Sequence, residues 1–303
     1  MTTPANDPTD TTDRPASNRG PDVLEWAIRE LESVGIPWAV SDAQIILAHP
    51  LGLRRDDIRA GAADGVELSE EQLATVLDFV ERRKRREPIQ FLTGKAFFRQ
   101  LELAVGPGAY IPRRETEFVA QLAIDALRAS GVERPIAIDV GSGVGAIALS
   151  MATEVPASTV YAVEIVPETY EWLRRNCEAF APDNTHPFLG DMADAFPELD
   201  GRVDVVAGNP PWIPDGDDSP TPEVALWVGE HHIHGGGSDG MDTMRALSKR
   251  ALELLKPGGA FVTEHGISQA ARVRALLESD GWLDVRSHVD PTGIERATTA
   301  RRP

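Results

Sequence analysis

The sequence holds a single cysteine and no long apolar run. Cys177 alone excludes an intramolecular disulfide, and its place in a helical pattern favours a packed thiol over a nucleophile. No stretch approaches the ~20 uninterrupted apolar residues of a transmembrane helix, so no association with a membrane is expected. The N-terminus lacks a basic region followed by an apolar stretch. No secretory signal is therefore expected, and the cytoplasm is the predicted location.

Positive charge is scarce as well. The 303 residues include 30 Lys and Arg against 48 Asp and Glu, a formal net charge of −18. Because phosphate neutralisation supplies most of the non-specific affinity for nucleic acid, a nucleic-acid substrate is not expected. The local exception is the basic run of residues 82–86. It is interpreted as a solvated helix end whose cations complement the helix dipole, with contact to RNA or an acidic protein as the alternative.

A glycine-rich loop follows the first apolar run of a strand pattern. That run, residues 136–140, contains Asp139, and a helical pattern begins at Ala146. The loop between them reads G-x-G-x-G, not the G-x-G-x-x-G of a dinucleotide-binding fold, and consists of Gly141, Ser142, Gly143, Val144 and Gly145. Glycines let the chain turn tightly and approach a ligand without a Cβ in the way. The loop, together with Asp139 just before it, is therefore a predicted cofactor site.

Two acidic residues end the next two strand patterns. Glu164 follows residues 160–163, and its carboxylate can accept both ribose hydroxyls of a nucleoside. Asp191 follows residues 186–189 and can accept from the exocyclic amine of adenine, while the backbone N–H of Met192 can meet a ring nitrogen. Both residues are typical of a nucleoside-containing cofactor site.

The turn Asn209-Pro210-Pro211-Trp212 follows another apolar run, residues 203–208. An amide nitrogen is a poor nucleophile because its lone pair is delocalised, so an enzyme that alkylates it must accept its N–H hydrogens. The Asn209 side-chain oxygen and the Pro210 carbonyl are two acceptors, the proline rings stiffen the turn, and Trp212 offers a flat stacking face. An ordinary turn is the alternative. Asn209 and Pro210 are the predicted catalytic residues, and all four residues are predicted to bind substrate.

The order of these motifs resembles that of class I S-adenosylmethionine methyltransferases. Two further segments, residues 87–94 and 110–117, resemble the HemK family of protein-glutamine N5-methyltransferases, and the resemblance runs from about residue 22 to the end. It implies an α/β fold with a doubly wound, Rossmann-like sheet and S-adenosylmethionine as cofactor. It also implies peptide-chain release factors as the protein partner, methylated on the glutamine amide of their Gly-Gly-Gln tripeptide.

The resemblance also assigns site residues and exposes departures. It implies that Asn209 and Pro210 bind the glutamine amide, and that Asn209 is also one of the residues that bind the cofactor. The family pattern has proline where this chain has Arg114, tyrosine at Trp212 and isoleucine at His265. Two alternatives therefore stay open: a divergent paralogue that methylates another amide or a nucleic-acid amino group, and a cofactor-binding protein without turnover.

Pattern and composition predict four segments. Residues 1–20 are a disordered tail, residues 21–88 a substrate-recognition bundle of about four helices, residues 89–112 a hairpin linker, and residues 113–303 the methyltransferase domain. Ser69 predicts a helix start with a capping box. A monomer is expected.

The predicted mechanism is direct in-line transfer of the sulfonium methyl to an amide nitrogen, with no covalent enzyme intermediate and no metal. Three histidines, His231, His232 and His234, lie close to Glu230 and Asp239. Such a spacing can ligate zinc. Because the segment is rich in glycine and has no nearby cysteine, a loop over the substrate cleft is the favoured interpretation.

Overall fold

The computed structural model describes residues 14–219 and 221–303, and the chain divides into two compact units, Met1–Thr93 and Gly94–Pro303. Residues 1–13 of the predicted tail lie outside the described residues. At its other end, the Asn18 side chain donates to the Leu68 carbonyl at 3.1 Å, and Arg19 forms a β-bridge with Glu67. The boundary predicted at residue 20 is therefore too late.

The first unit is helical. Its helices in the described residues are α1 (Gly20–Ser33), α2 (Ala39–Leu51), α3 (Arg55–Arg59), α4 (Glu70–Lys84) and α5 (Ile89–Thr93). Apolar residues at helical spacing, among them Val23, Ala27 and Leu31 of α1, are fully buried in one core. The predicted capping box is present, because the Ser69 side chain accepts from the Gln72 amide and the Gln72 side chain accepts from the Ser69 amide.

The basic run at the end of α4 forms ion pairs and hydrogen bonds within this unit. Arg83 is buried and donates to Asp42, itself buried, at 2.8 Å. Arg82 pairs with Glu87 at 2.6 Å, and Arg86 donates to the Val34 carbonyl at the end of α1. Interpreting the run as a solvated helix end is thus wrong for Arg83, whose charge is neutralised inside the bundle.

The second unit begins with a hairpin and continues as an α/β sheet. The hairpin strands, β1 (Lys95–Phe98) and β2 (Leu101–Ala104), pair antiparallel within the range predicted as a linker. The sheet strands are β3 (Ile136–Val140), β4 (Thr159–Glu164), β5 (Thr185–Leu189), β6 (Val203–Gly208), β7 (Leu255–Glu264), β8 (Leu283–Val289) and β9 (Glu295–Arg301). The α-helices of this unit are α6 (Thr116–Ala129), α7 (Ala146–Glu154), α8 (Pro167–Phe180), α9 (Pro222–Trp227), α10 (Asp242–Leu254) and α11 (Ala270–Ser279).

The strand order creates a crevice at one edge of the sheet. The order is β5-β4-β3-β6-β7-β9-β8; the first five strands are parallel, and β9 runs antiparallel to both of its neighbours, β7 and β8. From β3 the chain moves outward through β4 and β5, then returns to β6 on the other side of β3. In such sheets ligands bind outside the carboxyl ends of the strands at this reversal. The predicted doubly wound α/β fold is confirmed.

Apolar side chains fill the space between the sheet and its helices. Strand β6 is buried along its whole length, as expected for a parallel strand covered on both faces. Phe261 of β7 stacks on Trp282 with ring centroids 5.0 Å apart. This packing fixes the strands whose ends carry the site. In the described part of the chain no helix is long and apolar enough to cross a membrane.

Candidate active site

A cleft lies outside the carboxyl ends of β3, β4 and β6, at the reversal of strand order. Nine of the residues predicted from the sequence line it: Gly141, Ser142, Gly143, Val144, Glu164, Asn209, Pro210, Pro211 and Trp212. The predicted residues Asp139, Gly145, Asp191 and Met192 are not in its lining. The cleft also contains residues that the sequence did not single out, including Tyr110, Thr116, Ile165, Ile213 and Ile233.

The glycine loop has the conformation that its glycines permit. Gly141, Gly143 and Gly145 have φ values of +71°, +57° and +96°, a region that side-chain-bearing residues rarely adopt. The third glycine serves packing, because a Cβ on Gly145 would lie 2.9 Å from the Leu173 side chain of α8. Helix α7 begins directly after the loop, so its N-terminal amides favour a negatively charged group in the cleft.

Asp139 lies behind this loop and not in the cleft. It is 1% exposed, and its Oδ2 accepts from the Ala148 amide at 3.0 Å. Its Oδ1 has no hydrogen-bond partner among the described residues, and burial raises the pKa of Asp139 to about 7. Its contacts connect the end of β3 to the start of α7, which supports the loop from behind.

Glu164 connects the loop to the end of β4. Its two carboxylate oxygens accept from the Gly143 amide at 2.9 Å and from the Val166 amide at 2.8 Å. Burial raises the pKa of Glu164, although these backbone hydrogen bonds oppose the shift. A carboxylate has about four acceptor positions, so Glu164 can hold the loop and still accept from two hydroxyl groups in the cleft.

Asp191 and Met192 follow β5, two strands away from β3. Asp191 is exposed, and its side chain accepts from the Ala193 amide at 2.9 Å. Met192 packs against the core of the sheet. Between Asp191 and the glycine loop, the apolar side chain of Ile165 lines the cleft and is 58% exposed. A nucleoside that extends from the loop toward β5 would cover this side chain.

The Asn209–Trp212 turn is held from two sides. The Trp212 amide donates to the Ile233 carbonyl at 3.2 Å, and the Trp212 carbonyl accepts from the Gln269 side chain at 2.9 Å. The indole ring lies against Gly266, where a Cβ would approach it to 2.8 Å. Trp212 also packs with a small apolar cluster that contains Ile233. The ring is therefore fixed at the wall of the cleft.

Behind Asn209 lies a polar group that the sequence did not predict. The Asn209 Nδ2 donates to the Thr116 hydroxyl at 3.4 Å, and the Oε2 of the buried residue Glu264 has no hydrogen-bond partner among the described residues. Burial raises the pKa of Glu264 to about 7. Burial likewise raises the pKa of Tyr110, in the wall of the cleft, to about 12. A sequence signal existed, since Tyr110 and Thr116 lie in a segment that carried the family resemblance.

The histidine segment borders the cleft. His232 Nε2 lies 3.2 Å from both the Thr169 hydroxyl and the Gly108 carbonyl, and burial lowers the pKa of His232. His231 lines the cleft, whereas His234 Nδ1 lies 3.2 Å from the Pro214 carbonyl. Within residues 14–219 and 221–303, no group of three or more His, Cys, Asp or Glu residues could hold a metal ion.

The cleft fits S-adenosylmethionine. The loop with positive φ values offers backbone amides without Cβ atoms, Glu164 offers a carboxylate with free acceptor positions, and Ile165 offers an exposed apolar surface. These groups match the methionine end, the ribose and the adenine of that molecule in their order across the sheet.

Comparisons with known proteins match both units of the chain to protein families. The family model described as the PrmC N-terminal domain matches residues 22–94, and that of the methyltransferase small domain matches residues 107–225. The release factor glutamine methyltransferase of Streptomyces coelicolor is 40% identical over 289 residues, which cover 91% of this chain and 95% of that protein. The one from Bifidobacterium longum is 39% identical over 284 residues, with coverages of 91% and 97%.

Two further comparisons bear on substrate and fold. The 4-amino-L-phenylalanine/4-methylamino-L-phenylalanine methyltransferase of Streptomyces pristinaespiralis is 35% identical over 292 residues, 92% of this chain and 94% of that protein. The crystal structure of a methyltransferase from Pyrococcus furiosus has a TM-score of 0.50 at 18% identity, covers 73% of this chain and 98% of that one, and supports the fold. By its sequence relatives, the chain is an S-adenosylmethionine-dependent methyltransferase and belongs to the family of release factor glutamine methyltransferases.

Proposed function

We propose that this enzyme transfers the methyl group of S-adenosylmethionine to the side-chain amide nitrogen of a protein glutamine, the one in the Gly-Gly-Gln tripeptide of peptide-chain release factors. The observation that carries the proposal is the position of Asn209 beside the glycine loop. The Asn209 backbone carbonyl lies 3.9 Å from where a Cβ on Gly141 would stand, and Asn209 and Pro210 line the same cleft as the glycine loop. Two acceptors for an amide therefore lie next to the place where the cofactor's methionine end is expected.

The proposed roles follow from the geometry. Asn209 Oδ1 and the Pro210 carbonyl accept the two N–H hydrogens of the glutamine amide, which orients the nitrogen and favours localisation of its lone pair. The flat face of the Trp212 indole ring stacks on the plane of the amide. The bound cofactor supplies an electrophilic methyl carbon. As the nitrogen takes up the methyl group it gives up one proton to a nearby carbonyl or water, so the reaction needs no strong base beforehand.

The cofactor roles are proposed in the same way. Gly141, Ser142, Gly143 and Val144 receive the methionine end, and Glu164 accepts from the ribose hydroxyls. Asp191 and Met192 receive the adenine at the end of β5. Asp139 and Gly145 support the loop through helices α7 and α8, since neither lines the cleft.

The helical unit is proposed to recognise the protein substrate. It carries the match to the PrmC N-terminal domain. Its surface also presents Trp38, 73% exposed, beside Val40, 47% exposed, and an exposed aromatic residue is a common anchor in protein interfaces. The cytoplasmic location and the monomeric state stay predictions.

Incubation with labelled S-adenosylmethionine and separate candidate substrates tests the proposal. We expect label on the release factors of the same organism and none on a release factor whose Gly-Gly-Gln is changed to Gly-Gly-Ala. RNA and 4-amino-L-phenylalanine serve as comparison substrates, the latter because a relative bears its name. Label on either of them, with none on the release factor, would overturn the proposed substrate but not the methyltransferase activity.

A further inference from the structure

Gln269 contacts the backbone of the Asn209–Trp212 turn from the loop between β7 and α11. It is 4% exposed and stands at the N-cap of α11, but its side chain makes no capping hydrogen bond to that helix. Instead its Nε2 donates to the Trp212 carbonyl at 2.9 Å and to the Asp239 carbonyl at 3.1 Å. Its Oε1 accepts from the Gly266 amide at 3.0 Å. The side chain therefore joins the turn after β6, the segment before α10 and the loop after β7.

These three partners fix the direction of the Gln269 side-chain amide. An amide has two hydrogens to donate at its nitrogen end and only lone pairs at its oxygen end. Turned around, it would set its oxygen against two carbonyl oxygens and its NH₂ group against the Gly266 N–H. All three hydrogen bonds would be lost, and buried polar groups without partners are costly. Glutamine is therefore matched to this place, whereas methionine, of similar shape, has no hydrogen to donate.

The backbone and the ring of Trp212 are both closely surrounded. The Trp212 amide donates to the Ile233 carbonyl at 3.2 Å, while its carbonyl accepts from Gln269. A Cβ on Gly240 would overlap the Trp212 carbonyl oxygen, and one on Gly266 would stand 2.8 Å from the indole ring. The φ of Gly266 lies outside the left-handed region, so the close approach of the ring accounts for glycine at this position.

We infer that Gln269 is a positioning residue that holds the Trp212 backbone, and with it the indole ring, where a planar amide fits against the ring. This inference rests on the proposed function, because it concerns how the same turn receives the substrate amide. Gln269 itself does not line the cleft. The carbonyl that it holds is bonded to the same Cα as the indole side chain, so a change at the carbonyl is passed to the ring.

Releasing this carbonyl should affect the substrate and not the cofactor. A misplacement of about 1 Å can lower a rate about 100-fold when a contact depends on orientation. The stacking contact is present before and during methyl transfer, so its loss should act mainly on KM. The glycine loop and Glu164 follow β3 and β4, and their hydrogen bonds do not involve Gln269. Binding of S-adenosylmethionine should therefore be retained.

Gln269→Met removes the hydrogen bonds with a side chain of similar length. KM for the release factor should rise about tenfold, kcat should fall by less than about threefold, and the Kd for S-adenosylmethionine should stay within about twofold. Asn184→Leu is the matched control. The Asn184 side chain also donates to two backbone carbonyls, those of Ala152 and Ser158, each at 3.1 Å, but it precedes β5 at the opposite edge of the sheet. This control should leave KM unchanged.

Fluorine NMR reports on the ring without any substrate. The chain has 6 tryptophans, so labelling with 5-fluorotryptophan gives one resonance for each, and Trp212→Phe identifies the one from Trp212. In Gln269→Met this resonance should shift or broaden, whereas Asn184→Leu should leave it in place. Gly266→Ala should also move it, because the added methyl group would press on the ring while Gln269 is intact.

A double variant shows whether Gln269 acts through the ring. In a Trp212→Ala background, Gln269→Met should raise KM by less than about twofold, because no ring is left to position. An unmoved Trp212 resonance in Gln269→Met, an equal rise of KM in Asn184→Leu, or fully additive losses in the double variant would each overturn the inference. So would a displaced ring in Gly266→Ala with an unchanged KM.

Failure of the proposed function would give a different result. A wild-type enzyme that leaves the release factor unmethylated would overturn that function. The fluorine spectra would still decide whether Gln269 positions the Trp212 ring, since they need no substrate.

Discussion

Replacing Glu164 by alanine tests the cofactor site, because this carboxylate is proposed to act on both the loop and the ribose. In the folded chain it accepts from the Gly143 and Val166 amides at 2.9 and 2.8 Å. A hydrogen bond to a charged group contributes about 1.5–3 kcal/mol. Burial of Glu164 raises its pKa, which shows that part of this gain is offset by desolvation. We therefore expect the free energy of unfolding to fall by only about 1–3 kcal/mol.

The same substitution should also weaken binding of the cofactor. Two ribose hydroxyls lose a charged acceptor in Glu164→Ala, so binding of S-adenosylmethionine should weaken by about 1–3 kcal/mol, or roughly 5- to 150-fold in Kd. Calorimetric titration measures this value. Glu168→Ala is the control, because Glu168 is an exposed carboxylate in the first turn of the next helix, and its removal should leave Kd unchanged.

A ligand analogue separates the two roles of Glu164. S-adenosylhomocysteine that lacks its ribose 2′-hydroxyl cannot use one of the proposed contacts. Replacing Glu164 should therefore weaken its binding less than that of the intact compound. An equal loss for both ligands would restrict Glu164 to holding the loop. An unchanged Kd for the intact ligand would refute the assignment of Glu164 to the site.

Three further predictions concern the amide clamp, which is formed by Asn209 Oδ1 and the Pro210 carbonyl, and the residues behind it. Asn209→Ala should lower kcat roughly 100-fold or more with the cofactor Kd near wild type; rapid turnover in this variant, measured by release of S-adenosylhomocysteine, would contradict the clamp. Trp212→Phe and Trp212→Tyr should keep most of the activity on a Gly-Gly-Gln peptide. Trp212→Ala should instead lose about 1–3 kcal/mol of its interaction with the substrate, a magnitude taken from aromatic stacking on bases. A tyrosine variant clearly better than wild type would indicate that another molecule is the natural substrate. The wild-type protein should lose stability as the pH rises from about 4.5 to about 7, because the raised pKa of Glu264 means that ionisation of this buried carboxyl destabilises the native state. Glu264→Gln cannot ionise, so its stability relative to the wild type should grow over the same range. The gain should reach at most about 3 kcal/mol in urea unfolding at pH 8, and an equal difference at pH 5 and pH 8 would show that ionisation of Glu264 is not coupled to folding.

Local sequence signals predicted the fold and nine of the residues that line the cleft. Glycines at Gly141, Gly143 and Gly145 mark a turn that other residues rarely adopt, and they follow a strand pattern directly. Carboxyl ends of neighbouring parallel strands lie at one edge of a sheet, so Glu164 and Asn209 could be expected near that loop. The capping box at Ser69 is local in the same sense.

Contacts between distant residues were not predictable in this way. Thr116 lies 93 residues before Asn209 in the chain, and no spacing rule connects them. The same holds for Arg83, whose partner Asp42 is 41 residues away. The run of basic residues in the sequence therefore gave no sign that one of them forms a buried ion pair. Asp139 was predicted to bind the cofactor, but a carboxylate at a strand end can face either the ligand or the helix behind it. Only the packing of α7 decides between the two.

The central claim is that the clamp directs a methyl group to one glutamine side chain. The most direct measurement is tandem mass spectrometry of a release factor after incubation with the wild-type enzyme and with Asn209→Ala. The account predicts one added methyl group, on the side-chain nitrogen of the Gly-Gly-Gln glutamine, and almost none with the variant. A methyl group at any other residue, or equal methylation by both proteins, would contradict it.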